Sequence, residues 1–144
     1  MCATVIWAVN QAASTDEFRA ATTERLGVEP QPTEFRIASG RVRRSAAHFT
    51  LTRNMCDCDG LVGLRDDPLR DDETNAQALL AWIRELPEIS PHVARLAILR
   101  AWSPQDWDVR PQHARSVTVD EVDEARLRGV PDDSLLTIDY PHPA

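Results

Sequence analysis

The chain has 144 residues, 42% of them hydrophobic, and a formal net charge of −7, so it holds enough apolar material for one core and reads as a single α+β domain over 1–144. An acidic surface repels a polyanion, which argues against a nucleic-acid binder held by backbone phosphates and suits a protein that neutralises a basic partner. All 16 cationic residues are arginine, and the absence of lysine excludes Schiff-base, P-loop and kinase-type lysine chemistry.

No apolar run approaches the ~20 residues needed to cross a bilayer. The opening MCATVIWAVN lacks the basic region and cleavage site of a secretory signal, so a cytoplasmic location is expected, with no membrane association. Cys2, Cys56 and Cys58 should then be reduced thiols.

In chain order, CATVIWAV at 2–9 reads as a buried central strand. Ser14 followed by Glu17 forms a capping box, and Phe18, Ala21, Thr22 and Leu26 recur at helical spacing before Gly27, which predicts a helix over 15–26. VEPQP is a linker. Phe35 and Ile37, then Val42, Ala47, Phe49 and Leu51, alternate with period two and predict two antiparallel strands joined near Ser39 and Gly40. This arm is basic: Arg36, Arg41, Arg43, Arg44 and Arg53 lie in a stretch with no acid between Glu34 and Asp57. Asp66, Asp67, Asp71, Asp72 and Glu73 then lead into a helix carrying Ala76, Leu79, Leu80, Ile83 and Leu86, which Pro87 and Pro91 end. VARLAILRAW at 93–102 reads as a strand. A polar stretch follows, then a capping box at Thr118 and Glu121, a short helix ending at Gly129, and a last strand SLLTIDY at 134–140.

The predicted order is that of the ferredoxin-like βαββαβ arrangement, with a C-terminal helix and strand appended. It carries the expectation that the first and third strands lie side by side and parallel, which sets CDCDG at 56–60 beside Asn10 and Gln11 and Cys2 about 20 Å away. A zinc site joining Cys2, His48, Cys56 and Cys58 is expected to fail on that distance.

CDCDG is the richest motif. In an extended segment Cys56 and Cys58 share one face, where two thiolates can grip zinc or copper(I), with Asp59, His92 and His113, or a second subunit, as sources of further ligands. A strained disulfide between them, and so a thiol redox factor or enzyme, is the alternative, although Asp57 and Asp59 disfavour a thiolate. A calcium loop through Asp57, Asp59 and Asp66 lacks its first acidic ligand, Met55 standing there. The plain alternative is a polar turn at Asp59 and Gly60 with cysteines packed as small side chains. Cys2 becomes an N-terminal nucleophile if Met1 is removed, or else is a small apolar residue opening a strand. No G-x-S-x-G elbow or G-x-G-x-x-G occurs. Trp7 and Trp82 read as core, whereas Trp102 and Trp107 flank a loop and are candidates for a partner-binding surface. These features predict a non-enzymatic binding module for a protein partner or small ligand, self-associating through its sheet and holding a metal at Cys56 and Cys58.

Overall fold

A computed structural model describes residues 2–52, 57, 61 and 76–141, and these form a mixed α+β fold with a six-stranded mixed sheet and three α-helices. The strands and helices are β1 (Ala3–Val9), α1 (Asp16–Leu26), β2 (Gln31–Pro32), β3 (Arg36–Ile37), β4 (Ala47–Thr50), α2 (Ala76–Ile89), β5 (Arg95–Trp102), β6 (Asp108–Val109), β7 (His113–Thr118), α3 (Glu124–Arg128) and β8 (Ser134–Asp139). The main sheet has the order β2-β4-β1-β5-β8-β7, and β3 pairs with β6 in a separate parallel ladder. No helix among the described residues is long and apolar enough to cross a membrane.

β1 and β5 lack a polar face because both of their faces are covered. On one side Val5, Trp7, Val9, Leu96 and Ile98 meet α1 and α2, which contribute Phe18, Leu26, Leu79, Trp82, Ile83 and Leu86. On the other side Ile6, Ala8, Ala97, Leu99, Ala101 and Leu135 lie under Ile37, Ala46 and Val109. Each large apolar side chain buried this way contributes about 1.5–3 kcal/mol. Trp7 and Trp82 are fully buried and pack edge to face with centroids 5.8 Å apart. The Trp82 indole donates to Thr22 Oγ1 at 3.0 Å, whereas Trp7 Nε1 has no partner among the described residues and is held by packing alone.

Helix α1 starts one residue later than the Ser14 capping box implies: Thr15 is the N-cap, its hydroxyl accepting from Phe18 N–H, and Gly27 closes the helix with φ 70°. Helix α2 does not stop at Pro87 but runs through it to Ile89. Proline has no N–H to donate to the carbonyl four residues back. That carbonyl, Ile83 O, instead accepts from the buried Tyr140 hydroxyl at 2.6 Å, so an end-of-β8 side chain repairs the helix.

The first and third predicted strands, β1 and β4, are neighbours, but they are antiparallel, not parallel. Each of the first two helices returns the chain so that the strand after it runs like the strand before it. Because β2 and β1 are both antiparallel to β4, β4 fills the gap between a non-adjacent parallel pair. The expected hairpin between residues 35 and 51 does not form either: β3 leaves the sheet to pair with β6, and β4 pairs with β1 and β2.

The antiparallel direction sets Asp57 at the other end of β1 from the one expected. β1 pairs with β4 only from Trp7 to Val9, and toward the start of β1 Asp57 takes the vacant ladder positions. Its N–H donates to Ala3 O at 2.9 Å, and its Oδ2 accepts from Val5 N–H at 2.7 Å and from the Thr52 hydroxyl at 2.9 Å. Asp57 therefore lies beside the N-terminal end of β1, not beside Asn10. Asp57 thus bonds to Ala3, the neighbour of Cys2, while Cys56 and Cys58 lie outside the described residues.

Candidate functional site

The chain between β3 and β4 forms a compact arm over the face of the sheet opposite the helices. Ser39 organises its turn, its hydroxyl accepting from Arg41 N–H at 3.2 Å and its carbonyl accepting from Val42 N–H at 3.1 Å. A second turn closes with Ala46 N–H donating to Arg43 O at 3.0 Å. Val42 and Ala46 pack down onto the sheet, while Arg41, Arg43, Arg44 and Ser45 are exposed.

Beside this arm lies a cleft of about 720 Å³ at the C-terminal ends of β1 and β8 and the start of β5. Its apolar lining includes Ala8, Ala12, Val42, Ala46, Ala94 and Tyr140, and its charged groups among the described residues are Arg41, Arg43, Arg95 and Asp139. Two of the arginines are fixed. Arg41 donates from Nη1 to Ser116 Oγ at 2.7 Å; Arg95 donates from Nε to Asp139 Oδ1 at 2.5 Å and from Nη1 to Arg41 O at 2.8 Å. Ser116 is in turn held 2.7 Å from the hydroxyl of the buried Thr137. The Arg43 guanidinium has no partner among the described residues. Asn10, at the rim, is fully engaged: its amide donates to His92 O at 2.6 Å and accepts from Ala94 N–H at 3.0 Å.

Two smaller clefts flank the same arm, and Arg36, Arg44 and His48 line both. His48 is buried, and its ring bridges β4 to β3. Ile37 N–H donates to Nε2 at 3.1 Å, so Nε2 must be unprotonated and Nδ1 carries the proton, donating to Ala46 O at 3.0 Å. Burial holds the His48 pKa below its usual 6.5, and the Arg36 guanidinium, 2.9 Å from Nδ1, adds to the effect against the opposing pull of the Ala46 carbonyl. With both nitrogens engaged, His48 is a structural tie and not a poised proton carrier.

Cys56, Cys58 and Asp59 lie outside the described residues. Among the described residues no group of three or more His, Cys, Asp or Glu side chains is placed to hold a metal. His92 and His113 are exposed and sit on different elements, the loop before β5 and the outer strand β7. Burial pushes the Asp57 carboxyl above the usual carboxylate range, although its two donors pull the other way. Cys2 is exposed. Trp102 is 44% and Trp107 59% exposed; Trp107 stacks at a tilt on Phe35 with centroids 4.9 Å apart, and its carbonyl accepts from Arg36 N–H.

The acid-free run of arginines was the one sequence signal for this site. What it could not supply is Arg95 and Asp139, which reach the cleft only through the register of β5 on β8. No protein-family model matches the sequence, and neither a curated protein nor a solved structure is significantly similar to it.

Proposed function

We propose that the protein is a binding module whose ligand is anionic and sits in the arginine cleft beside the β3–β4 arm. The observation that carries this reading is the convergence of Arg41, Arg43 and Arg95 on one cleft where, among the described residues, Asp139 is the only acid and is already paired with Arg95. Guanidinium groups offer five donors in a planar fork that matches carboxylate and phosphate oxygens. Arg41 and Arg95 are held by Ser116, Asp139 and the arm's own backbone, so less side-chain freedom is lost on binding. Binding without chemistry is the reading for this cleft because its charged groups among the described residues are arginines and a carboxylate already paired with one of them. The order β2-β4-β1-β5 with antiparallel neighbours supports reading this portion as the ferredoxin-like βαββαβ arrangement, with β7, α3 and β8 added at the β5 edge.

Calorimetric titration with pyrophosphate and with citrate tests the function. Saturable binding is expected for at least one of them, with a loss of tenfold or more in Arg41→Ala and Arg43→Ala. An absence of binding by either anion, with the protein folded, would overturn the reading.

A metal at Cys56 and Cys58 is a separate proposal, supported by the anchoring of the intervening Asp57 to β1. It predicts near-stoichiometric zinc or copper in protein purified without chelator, lost in the Cys56→Ser, Cys58→Ser double variant. Metal-free protein of unchanged stability would dismiss it.

A further inference from the structure

Resting on the anion-binding reading above, the geometry points to a nucleoside monophosphate as the ligand of the 720 Å³ cleft, its phosphate held by Arg41, Arg43 and Arg95 and its base lying against the apolar lining. The cleft is larger than a bare inorganic anion needs. About 720 Å³ falls within the roughly 300–1,000 Å³ typical of sites for organic ligands, so there is room for an organic body beside the charged group.

The lining sets what that body is. Val42, Tyr140 and the exposed Ala12 and Ala94 line the cleft together with the nearly buried Ala8 and Ala46, an apolar lining against which a flat ring can lie. The charges set the head group. Three guanidiniums against one carboxylate leave two net positive charges, which match the charge of about −1.5 to −2 on a phosphate monoester at neutral pH. A triphosphate would exceed them. Arg41 spends only Nη1 on Ser116, Arg95 keeps Nη2, and Arg43 keeps all its donors, so enough N–H groups remain to surround a phosphoryl group.

Asp139 is the discriminating residue. Oδ1 is taken by Arg95 Nε, whereas Oδ2 has no partner among the described residues. A carboxylate oxygen next to a phosphate site repels phosphate oxygens and accepts from hydroxyls, so the ligand must present O–H donors close to its phosphate. The hydroxyls of a ribose meet that requirement.

The test is equilibrium titration of the full chain with the four ribonucleoside monophosphates, ribose 5-phosphate, inorganic phosphate, pyrophosphate and adenosine. At least one nucleoside monophosphate is expected to bind tenfold or more tightly than ribose 5-phosphate or either inorganic anion, and a hundredfold more tightly than adenosine. Arg43→Ala, a change at an exposed side chain without partners among the described residues, should weaken that binding tenfold or more with the melting temperature unchanged. Asp139→Asn should narrow the preference for the ribonucleotide over its 2′,3′-dideoxy counterpart. If ribose 5-phosphate or pyrophosphate binds as tightly as every nucleotide, the base-binding lining is wrong and the anion reading survives. If no phosphate compound and no citrate binds, both fall. Nucleotide binding that is indifferent to both Arg41→Ala and Arg43→Ala would place the site elsewhere and overturn the inference.

Discussion

His48 and Asp57 are the two buried polar side chains that most directly hold backbone donors, and each predicts a different response to substitution. His48 keeps Ile37 N–H satisfied only while neutral. Its pKa is depressed in the folded chain, so the stability it contributes is fully present above the unfolded value of about 6.5 and is lost as pH falls through the lower folded value. Urea unfolding is therefore expected to give a lower midpoint at pH 5 than at pH 7. His48→Ala should cost about 1–3 kcal/mol at pH 7 by stranding Ile37 N–H, and should flatten that pH dependence. A variant with an unaltered pH slope would show that the titration belongs to another group. Asp57→Ala likewise strands the buried Val5 N–H and should cost about 1–3 kcal/mol, whereas Asp57→Asn, which keeps an acceptor oxygen, should lose less. Equal losses in the two variants would show that the acceptor geometry at Val5 is not what Asp57 supplies. Neither role was legible in the sequence: His48 stands in an alternating strand pattern and Asp57 between two cysteines, and the donors they satisfy are 11 and 52 residues away.

At the level of elements, the readable ones were those whose apolar pattern answers to the core. β1, β5 and β8 are runs buried on both faces, and α1 carries its cap and Gly27 stop on its own residues. β7 was missed because, as the outer strand, it exposes five of its six residues and buries only Val117, so its sequence has the polarity of a loop. β6 was missed for a related reason, being two residues whose pairing with β3 is long-range. The stop assigned to Pro87 failed because a proline breaks a helix only if its orphaned carbonyl finds no other donor, and here Tyr140 supplies one. This makes a double-mutant cycle decisive. Tyr140→Phe should cost about 1–3 kcal/mol by leaving Ile83 O unsatisfied, and the cost should shrink by about 1 kcal/mol in a Pro87→Ala background, where a new N–H can reach the same carbonyl. Purely additive losses in chemical unfolding would mean that the hydroxyl does not stand in for the missing helix bond.

For the whole molecule, the decisive feature is that an acidic chain collects arginines on one side of its sheet, and the two levels of charge make opposite predictions about salt. If the net charge of −7 governed encounter with an anion, added salt would screen the repulsion and binding would strengthen. If Arg41, Arg43 and Arg95 govern, salt screens an attraction and binding weakens. Distance decides between them. In the proposed complex the guanidiniums would contact the ligand, whereas exposed charges beyond a screening length of about 10 Å at 0.1 M salt are already largely silenced. Pyrophosphate affinity is therefore expected to fall by about tenfold between 0.05 and 0.5 M salt, and the fall should be much smaller in Arg43→Ala. The preference for a nucleoside monophosphate over inorganic phosphate should stay constant across the same range, because contact with the apolar lining carries no charge to screen. Affinity that rises with salt in calorimetric titrations would show that the global charge outweighs the local arginines and that the cleft is not built for an anion.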